Sequence, residues 1–214
     1  LRDLAIGILG LQGAIEEHTA ATKLALEKLG LKGQVVWVKT VKDVEAVDGL
    51  IIPGGESTVI GRLSAFNEVL HSIKKRIEEG LPVLGTCAGL IMLARKTYDR
   101  VVGETNQPTL GVMNIVVERN SFGRQRESFE ADLEIPVLGE ERFKGVFIRS
   151  PAVREAGPEV KVLCKFNDVI VVVQQDNMIG TAFHPELTND LRLHEHFLSI
   201  VAQHAKISKF IKTS

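Results

Sequence analysis

Residues 81–96 read LPVLGTCAGLIMLARK, and the fold turns on how this stretch divides. Leu81, Val83 and Leu84 predict a short core strand, and residues 89–94 predict a helix with no polar face. Between them stand Gly85, Thr86, Cys87, Ala88 and Gly89, mostly small residues past which neighbouring backbone can run closely. A strand turning sharply into a helix holds its turn residue in a strained conformation. A thiol at a helix N-terminus is drawn toward the thiolate, its nucleophilic form. Taken alone, the turn leaves two readings of Cys87 open, a nucleophile or a buried structural cysteine.

The pattern around this stretch alternates. LAIGILGL (4–11), QVVWVK (34–39) and DGLIIPGG (48–55) predict three strands, and residues 14–29 a helix closed by Gly30. A second helix is predicted over 57–79, with Val59, Leu63, Phe66, Leu70, Ile73 and Ile77 as its core stripe, closed by Gly80. Strands continuously apolar and separated by helices imply a parallel sheet covered on both faces. Beyond residue 100 the style changes to short β-runs that predict hairpins and additions to the sheet edge. A last helix begins near Asp190, with Leu193, Phe197 and Ile200 on one face. The expected fold is therefore α/β: a three-layer, mostly parallel open sheet of flavodoxin-like type, with added antiparallel strands in the second half. One domain over 1–205 is expected, followed by a basic tail over 206–214 that reads as a frayed end rather than a docking arm.

Composition excludes several function classes. The chain has 214 residues, 44% of them apolar and 25% charged, with a net charge of -1. Such a chain folds around a core, carries no basic footprint for nucleic acid and has no apolar run long enough for a bilayer. The opening residues read as a first strand rather than a leader, because EEH at 16–18 follows directly. Two cysteines, Cys87 and Cys164, point to reduced thiols and a cytoplasmic setting. Cys164, within KVLCKF, reads as core. His194 and His196 lie two apart on a helix and face different ways, so no metal site is expected.

Ligands of open parallel sheets bind beyond the carboxyl ends of the strands, where the small-residue turns lie. HPE at 184–186 follows a late strand there. In extended geometry Glu186 would face the same way as His184 and orient its imidazole, while the other ring nitrogen faces a thiol. PGGES at 53–57 offers backbone N–H groups of a glycine pair which, with that of Ala88, could hold an oxyanion. Each segment alone has a plain structural reading: a surface turn for HPE and a Pro-Gly turn for PGGES.

Together and in this order, these segments resemble the glutaminase domain of class I (triad-type) glutamine amidotransferases. GLQGAIEEH (10–18), PGGEST (53–58), GTCAGLI (85–91), VERNSFGRQRESFEADL (117–133), VFIRSP (146–151) and FHPELT (183–188) are similar, more narrowly, to the glutaminase subunits of pyridoxal 5′-phosphate synthases. The resemblance implies Cys87, His184 and Glu186 as catalytic residues, and Gly54, Gly55 and Ala88 as the oxyanion hole. It implies Gly55, Glu56, Ser57, Arg119, Ile148 and Arg149 as contacts for L-glutamine, an α-carboxylate suiting an arginine fork. Gln12 and His18 would support the oxyanion loop or a partner interface, although His18 could equally be a solvated surface residue. Ser150 stands where the family often has alanine. Also implied are a synthase subunit as partner, no cofactor, no nucleic acid and no membrane. The rivals are a glutaminase of another amidotransferase and a non-catalytic regulator on the same scaffold.

Overall fold

The computed structural model describes residues 3–212 except 67, 100 and 123–127, with the backbone alone beyond residue 206. Residues 123–125 of the RNSFGRQ block and the end of the tail therefore lie outside the described residues. The chain runs β1 (Leu4–Leu9), α1 (Ile15–Lys28), β2 (Gly33–Val38), α2 (Val41–Ala46), β3 (Gly49–Ile52), α3 (Ser57–Phe66), α4 (Val69–Glu78) and β4 (Val83–Thr86). It continues through α5 (Ala88–Leu93), β5 (Ala94–Asp99), β6 (Gly103–Glu104), β7 (Met113–Arg119), β8 (Ser128–Leu133) and β9 (Phe143–Ile148). Last come β10 (Ala152–Ala156), β11 (Lys161–Phe166), β12 (Val169–Gln175), β13 (Met178–Thr181) and α6 (Arg192–Lys212).

The main sheet has the order β2-β1-β3-β4-β13-β12-β10-β7-β5-β6, with β11 added beside β12. Its first five strands are parallel. From β12 onward antiparallel pairs enter, though β5 and β7 are parallel to each other. β3, β4 and β13 are buried along their whole length, as helices on both faces require, whereas edge strand β2 is half exposed. The late strand β13 thus enters the middle of the sheet. Its register pairs Thr181 with Thr86, so the residues leaving both strands emerge side by side.

Local sequence explains the helix ends. Gly30 (φ +62°) closes α1: its N–H donates to Glu27 O and that of Leu31 to Leu26 O, both at 3.0 Å. Gly80 (φ +99°) closes α4 by the same double bond pattern. Thr40 and Asp43 form a reciprocal capping box on α2, a helix the sequence reading passed over.

Several expectations require correction. The single helix over 57–79 is two helices, separated at Glu68, whose φ of 57° takes the chain out of helical geometry. In α3 the buried face is Ser57, Ile60, Gly61 and Ser64, while Val59, Leu63 and Phe66 are exposed. Small residues won that face because the chain passes close: a Cβ on Gly61 would lie 2.4 Å from Pro108 O. The expected helix over 89–94 also ends one residue early, since Ala94 already begins β5. α6 continues to Lys212, so residues 206–212 of the basic stretch extend a helix.

β8 and β9 form a separate ribbon against the sheet end. Phe129 and Phe147 stack with centroids 4.6 Å apart, and Phe183 sits 5.5 Å from Phe147 and 5.7 Å from Phe143. This aromatic block fixes the chain immediately before His184.

Candidate active site

Cys87 occupies the single residue between β4 and α5, with φ 50° and ψ −102°. A non-glycine residue there costs on the order of 1–3 kcal/mol and persists only where its surroundings enforce it. The enforcement is visible. The Cys87 N–H donates to Thr181 O at 2.8 Å, and its carbonyl accepts from Ile91 N–H at 3.3 Å. The flanking glycines are required by close passage: a Cβ on Gly85 would lie 2.6 Å from Gly89 O, and one on Gly89 2.1 Å from Ile52 O. The thiol is nearly buried, 7% of the residue remaining exposed.

His184 arrives from β13 through Ala182 and Phe183, its N–H held by Val146 O at 2.8 Å. Residues Pro185–Leu187 then make one turn of 3-10 helix, which brings Glu186 back beneath the ring. His184 Nδ1 lies 2.8 Å from Glu186 Oε1. The expected pairing is met by a turn rather than by the extended i, i+2 geometry anticipated. Burial opposes a charge on His184, but hydrogen bonds to Cys87 and Glu186 and the charges of both outweigh it and push its pKa up to about 10. Burial likewise opposes ionisation of Glu186, yet the neighbouring His18 and His184 hold it well below the usual carboxylate range. Sulfur, imidazole and carboxylate thereby form an electrostatically coupled row, an arrangement able to supply a nucleophile, an acid/base group and its orienter.

The glycine loop after β3 is tied to the loop after β1. Gly54 O accepts from Ala14 N–H at 3.0 Å, and Gln12 Oε1 accepts from Glu56 N–H at 2.7 Å. A Cβ on Gly13 would lie 1.9 Å from Gly54 O, and one on Gly55 2.3 Å from Gln12 Oε1. Gln12 therefore braces the loop.

A cleft of about 260 Å³ opens over Cys87. Gln12, Gly55, Glu56, Ser57, Ala88, Arg119, Ile148, Arg149 and His184 all line it. Gly54 stands beside His184 and Cys87 instead, and Glu186 lies behind the imidazole. Arg119 Nη2 is 3.1 Å from Glu56 Oε1, and its Nη1 is 3.2 Å from Gln107 Oε1, so the guanidinium is aimed before any ligand arrives. Ser150, the departure from the family pattern, accepts from Ile148 N–H at 3.0 Å and stiffens the wall beside Arg149 (φ 43°).

One expected site residue lies elsewhere. His18 is fully buried, so neither a solvated face nor a partner interface describes it. It lies against Thr86, Glu186 and His194. The sequence reading also missed Asn120 and Ile91 at the cleft, and Gln107, whose Oε1 accepts from Arg119. Asn120 had a signal in its place directly after Arg119, whereas Ile91 and Gln107 had none. Cys164 is buried in β11, and desolvation together with the charge of Glu134 raises its pKa to about 11, an inert thiol. Among the described residues no three His, Cys, Asp or Glu side chains gather to hold a metal, and no helix is long and apolar enough to cross a membrane.

Known proteins resemble this chain in sequence and fold. Residues 8–203 match the SNO glutamine amidotransferase family. The pyridoxal 5′-phosphate synthase subunit PdxT of Moorella thermoacetica is 50% identical over 198 residues, covering 92% of this chain and 100% of that protein. The PdxT of Nitrosopumilus maritimus is 47% identical, with 92% and 97% covered. A crystal structure of a glutamine amidotransferase superposes with a TM-score of 0.80 at 44% identity, over 92% of this chain and 98% of that one. At 12% identity, a Thermotoga maritima glutamine amidotransferase superposes with a TM-score of 0.60 over 95% and 86% of the two chains, a likeness of fold alone.

Proposed function

The chain belongs to the SNO glutamine amidotransferase family, and from that premise we propose that it hydrolyses L-glutamine for a pyridoxal 5′-phosphate synthase. The pairing of Cys87 and His184 in one small cleft, with Glu186 behind the imidazole, is the observation that carries the reading.

Arg119 takes the α-carboxylate of glutamine in its fork, and Glu56 takes the α-ammonium group beside it. Ser57, Ile148 and Arg149 form the remaining wall. The Cys87 thiolate attacks the side-chain amide carbon, and the carbonyl electrons move onto oxygen. Backbone N–H groups of Gly55 and Ala88 receive that oxyanion, with Gly54 leaving room for the approach. As the tetrahedral intermediate collapses, the C–N bond breaks, the nitrogen takes the His184 proton, and ammonia leaves a γ-glutamyl thioester. His184 then removes a proton from water, the hydroxide adds to the thioester, and the C–S bond breaks to give glutamate and the thiolate. Each acid/base role of this kind is worth about 10²- to 10⁴-fold in rate.

Ammonia set free in bulk water is protonated and ceases to be a nucleophile, so its use demands handover to a partner. The relatives' name as synthase subunits supports a complex in which the synthase receives it. Two free thiols support a reducing, cytoplasmic setting.

The test is cofactor formation by the reconstituted complex, driven first by glutamine and then by an ammonium salt. Cys87→Ala is expected to abolish the first and spare the second. Glutamine-driven synthesis at the wild-type rate in this variant would refute the assignment.

A further inference from the structure

Behind the catalytic line lies a second buried row that the reaction above does not use. His18 Nε2, from α1, is 3.2 Å from Glu186 Oε2 and 3.0 Å from Thr86 Oγ1. His18 Nδ1 is 3.0 Å from His194 Nε2, from α6. His18, Thr86 and His194 have no exposed surface.

The proton positions follow from the partners. His194 Nδ1 is buried without a hydrogen-bond partner, so the proton of a neutral His194 belongs on Nε2, where His18 Nδ1 accepts it. Burial and the neighbouring His18 keep His194 neutral, its pKa lowered to about 3. With its Nδ1 accepting, His18 carries a proton on Nε2, shared between the threonine hydroxyl and the carboxylate. Glu186 Oε2 has no aligned donor, so His18 Nε2 meets it as a close polar contact rather than a full hydrogen bond. Oε1 of the same carboxylate receives His184.

We propose that His18 is a positioning residue which, seated by His194 and Thr86, fixes the Glu186 carboxylate from the side opposite His184 and so sets the orientation of the catalytic imidazole. A lone buried carboxylate with one donor can swing and is costly to ionise. Clamped between two imidazoles it is neither free to swing nor to take up a proton. The groups with charge or proton to exchange around Glu186 are His184 from its own turn, His18 from α1, His194 from α6 behind it, and Cys87 across the imidazole.

This inference rests on the glutaminase reading, and its test separates the two. In the reconstituted complex with the synthase subunit, kcat and KM for glutamine, the pH profile and the melting temperature are measured for His18→Leu, His18→Gln, His18→Asn and Cys87→Ala. His18→Leu is expected to lower kcat about 10- to 100-fold, with KM within about 2-fold and the alkaline limb of kcat/KM moved to lower pH. His18→Gln, whose amide nitrogen reaches the place of Nε2, should restore kcat to within about 5-fold; His18→Asn, one bond shorter, should not. A folded His18→Leu with kcat and alkaline limb unchanged overturns the proposal. Should the leucine variant fail to fold, equal kcat and pH profiles for the glutamine and asparagine variants overturn it. Activity surviving in Cys87→Ala would instead sink the glutaminase reading, and this one with it.

Discussion

Gly54 and His184 approach so closely that a Cβ on the glycine would lie 2.4 Å from Cε1 of the imidazole and 3.3 Å from Cys87 Cβ. The glycine loop is thus a wall against the imidazole, besides the oxyanion donors proposed for it. Gly54→Ala is expected to displace the ring and lower kcat by about 100-fold or more, the loss typical of a misplaced acid/base group. The far-ultraviolet spectrum should be unchanged, because the loop is outside the regular elements. Steady-state kinetics of the complex read the effect, and a kcat within about 3-fold of wild type would contradict it.

The pH dependence follows from His184. A group more basic in the folded protein than in the unfolded chain adds stability that is complete below the unfolded value and lost as pH rises through the folded one. For His184 that window runs from its ordinary 6.5 to about 10. Glu186, held below its ordinary 4.5, contributes above that value and loses its contribution as the pH falls further. Melting temperature should therefore fall between pH 7 and 10 in the wild type. In Cys87→Ala, which removes a hydrogen bond and a charge from the imidazole, the fall should be smaller and end at lower pH. Identical profiles for the two proteins would deny the coupling.

Arg119 is aimed into the cleft by Glu56 and Gln107. Arg119→Met is expected to raise KM for glutamine at least about 10-fold while kcat stays within about 3-fold, since a charge-assisted hydrogen bond to bound substrate is lost. Arg119→Lys keeps the charge without the fork and should fall between. Glutamine with its α-carboxylate converted to an amide should be hydrolysed alike by wild type and Arg119→Met. Discrimination between them on that analogue would place the carboxylate elsewhere.

The elbow was legible because its glycines are dictated by close backbone contacts at Ile52 and Gly89, which leave a local signature. The capping residues Thr40 and Asp43 leave one too. The break at Glu68 had no signature, since neither glycine nor proline stands there to announce it. In α3 the larger apolar residues carry the helical period, yet proximity to Pro108, a long-range fact, decides which face is buried. His18 and His194 are 176 positions apart and belong to no shared pattern, so their meeting is visible only once β13 is seated beside β4.

The most direct measurement is covalent trapping. Incubation with 6-diazo-5-oxo-L-norleucine, a glutamine mimic that alkylates a nucleophile seated at the amide carbon, is followed by intact mass and peptide mapping. One equivalent should appear on Cys87 and none on Cys164, with glutamine hydrolysis lost in proportion. A fully modified Cys87 with hydrolysis intact, or inactivation with the label on another residue, would contradict the account.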